Sequence, residues 1–203
     1  MSPIDTVIFD LGNVLITVDE LRAADRLAGR TGKTREQISA YALSTPYATN
    51  LALGKLTRQQ FFEIVARDLA FEGTYDEFAF IWADIFAPIE PMIALAGSLK
   101  NRVQRLLLSN TNAIHMDYVF TQYPFLREFD ALLLSYEVGC LKPDAAIYNH
   151  AIEKNALTPS RCVFIDDLET NVEGARRVGL QAIQFRDVEQ LRAELTKLGL
   201  SPI

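Results

Sequence analysis

The sequence predicts an α/β protein, a doubly wound parallel sheet interrupted by a helical insertion. Two observations carry this. Five short apolar runs, TVIFD (Thr6–Asp10), RLLLS (Arg105–Ser109), ALLLS (Ala131–Ser135), CVFID (Cys162–Asp166) and QAIQF (Gln181–Phe185), are continuous rather than alternating. Strands covered by helices on both faces have that character. Between the later runs lie helical segments in a β-α-β rhythm.

Taken in order, the first run ends on Asp10, and the stretch from Leu15 to about Leu99 then holds no clear strand. It reads instead as helices with strong start signals. Asp19 precedes ELRAADRLAGR, which stops near Gly29–Gly32, and Thr34 precedes REQISAYALS. Thr57 with Gln60, and Thr74 with Glu77, form capping boxes ahead of FFEIVARDLAF and FAFIWADIF. PIEP, Pro88–Pro91, reads as the hinge returning the chain to the sheet. The expected division is a catalytic core of residues 1–16 and 90–203 and a helical subdomain of residues 17–89. In an open parallel sheet, ligands bind beyond the carboxyl ends of the strands. An insertion placed directly after Asp10 would roof that site.

At 203 residues, 49% hydrophobic and 23% charged, the composition is close to that of an ordinary soluble globular protein. A net charge of −6 argues against a nucleic-acid-coating or anionic-membrane role. No apolar run reaches membrane-spanning length, and the N-terminus lacks the pattern of a signal peptide, so a cytoplasmic location is expected. Cys140 and Cys162 have no metal-type spacing and read as reduced thiols.

Polar residues recur at the strand ends: Asp10, Ser109–Asn110, Lys142 and Asp166–Asp167. Each has an ordinary structural explanation as a cap, a turn or a solvated charge. Together they sit at one edge of one sheet. Three converging carboxylates with Lys142 as the evident cation need a counterion, and Mg²⁺ with a phosphate substrate supplies it.

The order FDLGNVL, LLLSNTN, LKP and FIDD with Asn171 following resembles the haloacid dehalogenase superfamily over the whole chain. That resemblance implies a helical cap on the sheet domain and a phosphatase acting on a small phosphate ester, a sugar phosphate among the candidates. Asp10 would be the nucleophile forming an aspartyl-phosphate. Ser109 and Asn110 would hold the phosphoryl oxygens, and Lys142 would neutralise charge. Asp10, the Gly12 carbonyl, Asp166 and Asp167 would form the metal site, with Asp167 favoured over Asp166 for direct ligation. Pro143 fits a first helical turn, and Asn171 either supports the metal loop or has a plain turn role. A monomer or homodimer is expected.

Gly12 departs from the family pattern, in which a second Asp two places after the nucleophile acts as general acid and base. That keeps two alternatives open: a metal-independent 2-haloacid dehalogenase, or a catalytically weak phosphate-binding regulator. His115 reads as an exposed helix residue with a minor claim to acid-base work. Lys55 and Arg58 read as surface charges ahead of substrate contacts. Tyr41, Tyr47, Trp82, Phe61 and Phe62 read as core of the insertion.

Overall fold

The computed structural model describes residues 3–200. The first two and last three positions of the expected core domain lie outside the described residues. All five predicted strands are present: β1 (Thr6–Phe9), β4 (Gln104–Ser109), β5 (Ala131–Leu134), β6 (Cys162–Asp166) and β7 (Gln181–Gln184). They form one parallel sheet in the order β5-β4-β1-β6-β7. The three central strands are buried almost throughout, whereas edge strand β7 is half-buried along its length. Successive side chains divide between the two faces. Val7, Phe9, Leu107 and Ile165 join one apolar cluster, and Ile8, Leu106, Leu108 and Phe164 join the other.

Helices α6 (Glu90–Ser98), α7 (Ala113–Gln122), α8 (Ser135–Val138), α9 (Ala145–Lys154), α10 (Glu169–Arg177) and α11 (Val188–Lys197) connect or flank these strands. Glu90 and Pro91 open α6, so PIEP is a helix start as well as a return point. Helix α9 starts at Ala145 with Asp144 as its cap, so Pro143 lies before the helix and not in its first turn as expected. The Lys142–Pro143 peptide bond is cis.

Between the first strand and α6 lie helices α1 (Glu20–Thr31), α2 (Arg35–Ser44), α3 (Tyr47–Ala52), α4 (Arg58–Leu69) and α5 (Tyr75–Ala83). Their starts follow the sequence signals: Asp19 caps α1, and Thr34, Thr57 and Thr74 form complete capping boxes with Gln37, Gln60 and Glu77. Each box satisfies two N-terminal donors that would otherwise lack partners. Leu27, Ile38, Leu51, Phe61, Val65 and Phe78 form an apolar cluster of their own, with Ile114 of α7 joining from below.

One expectation is corrected. The stretch from Leu15 to Leu99 does contain strands, β2 (Ile16–Val18) and β3 (Phe86–Pro88), paired antiparallel with Val18 opposite Phe86. Each has only three residues, too few for a readable two-residue period, and their pairing spans the whole insertion. This ribbon is where the five-helix segment leaves and rejoins the chain.

Two further contacts fix that segment to the sheet elements. The Ser135 hydroxyl lies 2.8 Å from the Ala52 carbonyl and 2.9 Å from the Thr111 carbonyl, and it accepts from the Thr111 N–H. Gly54, at φ +67, lets the loop after α3 press on the Tyr136 backbone; a Cβ there would meet the Tyr136 carbonyl oxygen at 2.2 Å.

Candidate active site

The chain switches sides of the sheet at β1, with β4 on one flank and β6 on the other, and the site lies beyond the carboxyl ends of these strands. Asp10 follows β1 directly and is buried. Its Oδ1 accepts from the Leu11 N–H at 2.6 Å and lies 2.8 Å from Lys142 Nζ. Lys142 Nζ also donates to Asp166 Oδ2 at 2.6 Å and sits over the Phe164 ring. One buried ammonium is thus shared by two buried carboxylates.

Asp166 is fully buried and closely tied. Besides Lys142, its oxygens accept from the Leu168 N–H at 2.9 Å and from Asn171 Nδ2 at 3.0 and 3.1 Å. Asn171 is held in turn by Tyr148, whose hydroxyl donates to its carbonyl at 2.8 Å. Asp167 is different: half-buried, its carboxylate accepts a long bond of 3.3 Å from Asn13 Nδ2. Oxygen atoms of Asp10, Asp166 and Asp167 all lie within 4.8 Å of one another.

Electrostatics follow from this crowding. Burial, with the Asp166 charge adding to it, pushes the Asp10 carboxyl up to about 7 against the lowering pull of Lys142. Burial and Asp166 also raise Asp167. Burial alone would lower the Lys142 ammonium, but Asp10 and Asp166 outweigh it and the net shift is upward.

The other expected residues fall as follows. Ser109 ends β4, buried, on the wall of a cavity of about 640 Å³ that also exposes Asp10, Gly12, Asn110, Lys142 and Asp167. Asn110 also lines this cavity, but its carboxamide brackets the Lys142 backbone, accepting from its N–H at 2.8 Å and donating to its carbonyl at 2.9 Å. Its side chain therefore fixes the lysine. Gly12 faces a tight neighbour, since a Cβ there would lie 3.2 Å from Val18 Cγ2 of β2. Lys55 and Arg58 do not line the cavity, and Arg58 pairs with Asp117 at 2.8 Å on the surface.

His115 is a correction. It is not an exposed helix residue: its Nε2 is fully buried, and the ring stacks on Trp82 and meets Phe86 edge-on. Its tautomer can be derived. Asn112 Oδ1 accepts from the Ile114 and His115 N–H groups, so its amide nitrogen faces His115 Nδ1 at 3.0 Å as donor. Nδ1 accepts, and Nε2 carries the proton. Nε2 leans towards the Trp82 carbonyl without completing a hydrogen bond. Burial pushes the imidazole down to about 4.

Asn13 escaped sequence reasoning. Its φ of +54 closes the turn after Gly12, and its side chain joins Asp167 to the Val18 N–H. A Gly-Asn pair after a strand end is the signal that could have found it. Both cysteines are free.

Comparison with known proteins agrees with this geometry. A family model described as haloacid dehalogenase-like hydrolase matches residues 4–179. A D-ribitol-5-phosphate phosphatase of Bacteroides thetaiotaomicron is 27% identical, over 95% of this chain and 97% of its own. A phosphatase of Mycobacterium tuberculosis is 28% identical, over 88% of this chain and 86% of its own. Among solved structures, a HAD family enzyme of B. thetaiotaomicron, in complex with magnesium and inorganic phosphate, has a TM-score of 0.83 at 24% identity. The match covers 93% of this chain and 98% of that one. At that identity the likeness is one of fold.

Proposed function

This chain belongs to the haloacid dehalogenase-like hydrolases, and from that premise we propose that it is a Mg²⁺-dependent phosphatase of small phosphate monoesters. The observation that carries the reading is the convergence of Asp10, Asp166 and Asp167 on one rim around the single ammonium of Lys142.

The donor set fits a hard divalent cation. Three carboxylates against one ammonium leave excess negative charge, concentrated at Asp167, which no cation faces at salt-bridge distance among the described residues. Oxygen ligands of this kind suit Mg²⁺. Asp10, Asp167 and the Gly12 carbonyl would hold the ion; Asp166, its oxygens engaged by Lys142, Leu168 and Asn171, is better suited to anchoring the lysine. A bound Mg²⁺ would neutralise the phosphoryl oxygens.

The protein's own groups supply the rest. Asp10 Oδ1 is fixed by Leu11 and Lys142, so attack on phosphorus falls to Oδ2. An Asp10 O–P bond forms as the bond to the leaving oxygen breaks, and water then hydrolyses the aspartyl-phosphate, regenerating the carboxylate. Ser109 and the Asn110 backbone N–H would orient the phosphoryl oxygens, and Lys142 offsets their growing charge. No side chain at position 12 protonates the leaving group. Esters with stable leaving groups, or ones that take a proton from solvent, are therefore favoured. Residues 17–89 would act as the cap over this chemistry. The D-ribitol-5-phosphate phosphatase relative makes polyol phosphates one class to test.

A metal-free attack on the carbon of a 2-haloacid is disfavoured by the uncompensated Asp167. The test is hydrolysis of a phosphate monoester panel with Mg²⁺. Turnover should be abolished by EDTA and reduced at least about 10³-fold in Asp10→Asn. Turnover that ignores EDTA rejects the reading.

A further inference from the structure

Beside the catalytic cavity lies a second, largely apolar groove of about 450 Å³, between α1, α2 and α5 and above the start of α7. The two share a wall made by Glu20, Leu21 and His115, so they are neighbouring compartments of one cleft. The groove falls in the size range of small-molecule pockets, and its character matches them: mostly hydrophobic, with few polar groups. Leu27, Ile38, Ala42, Leu43 and Trp82 supply the apolar lining.

Resting on the phosphatase reading, we propose that the leaving group of the substrate is an apolar moiety, lodged in this groove while its phosphate faces Asp10. A polyol would place several hydroxyls against aliphatic walls and leave most of them unpaired. An alkyl or flat carbon skeleton matches the lining. Continuity with the catalytic cavity through His115 makes the substrate's own tail the occupant.

The experiment measures kcat/KM with Mg²⁺ for unbranched alkyl monophosphates from ethyl to octyl, with a pentitol phosphate and acetyl phosphate alongside. The expected result is a rise of about threefold to fourfold per methylene until the groove is filled. Ala42→Phe, on an exposed position of α2, should reduce the octyl-to-ethyl ratio at least tenfold. Trp82 is the only tryptophan of the chain, so its emission reports occupancy without turnover, and octylphosphonate should shift it where ethylphosphonate does not. A flat alkyl series, or preference for the pentitol ester, overturns the proposal while leaving the phosphatase reading intact. So does a dimer dispersed by Leu43→Ser, which would show the groove covered by a second copy. Absence of any hydrolysis, with the octylphosphonate shift retained, rejects the phosphatase reading but upholds the groove as a site for phosphate-headed apolar molecules.

Discussion

Lys142 is 4% exposed and faces two carboxylates, one of them at 0% exposure. Removing one partner of such an arrangement leaves buried charge uncompensated. Lys142→Met should therefore destabilise the metal-free protein by about 3–5 kcal/mol, read as a lower urea midpoint. His115 gives a pH-dependent counterpart. In the fold its imidazole titrates at about 4, against 6.5 for the free group. Between those values the unfolded chain binds more protons, so stability falls as pH is lowered through the window, by at most about 3 kcal/mol. Urea midpoints of His115→Gln at pH 7 and pH 4.5 should lie closer together than those of the parent. Asp10 and Asp166–Asp167 were legible because they end apolar runs, where a carboxylate has no propensity reason to be, whereas Lys142, beyond β5 and α8, was legible only through the LKP segment and the family resemblance. His115 was not, because the burial of one ring nitrogen depends on the Trp82 and Phe86 side chains that the insertion brings over it.

Secondary elements were legible to the degree that their signals are local. The capping boxes at Thr34, Thr57 and Thr74 lie within four residues of sequence, and each formed where expected. The ribbon of β2 and β3 was hidden because its pairing partners lie about seventy positions apart, as Thr17 opposite Ala87 shows. The close approach of the α3–α4 loop to Tyr136 was equally hidden, since LGK reads as an ordinary turn. Its importance can be measured. Gly54→Ala would force a side chain into a left-handed conformation at φ +67 and against a backbone oxygen. The expected loss is about 2–4 kcal/mol, visible as a drop in Tm of several degrees.

At the scale of the molecule, Asp84, the residue after α5, joins the five-helix segment to α7. It receives Arg22 at 3.0 Å and Arg26 at 2.5 Å from α1, and the Tyr118 hydroxyl of α7 donates to its other oxygen at 2.5 Å. Partial burial raises the Asp84 carboxyl, but Tyr118 and the two arginines outweigh it and hold it below the usual range. A lowered folded value means stability present at neutral pH and lost as pH falls below the ordinary carboxylate range. Asp84→Ala should cost about 2–4 kcal/mol at pH 7, with the difference from the parent shrinking towards pH 3 in urea titrations. The α/β architecture itself was legible throughout, since continuous apolar runs and helix caps together determine a covered parallel sheet. How the helical segment leans on that sheet was not, because it depends on contacts between residues far apart in the chain, such as Tyr118 with Asp84 and Ser135 with Ala52, that have no sequence signature.

The ribbon also bears on ancestry and engineering. Val18 and Phe86 face each other in antiparallel register, so the exit and re-entry points of the helical segment lie roughly 5 Å apart. A segment placed between them needs ends that close to that spacing, and it must also meet Ser135, Tyr136 and Tyr118, against which the present helices rest. Changes within the helices can thus leave the points where the chain departs from and rejoins the scaffold in place.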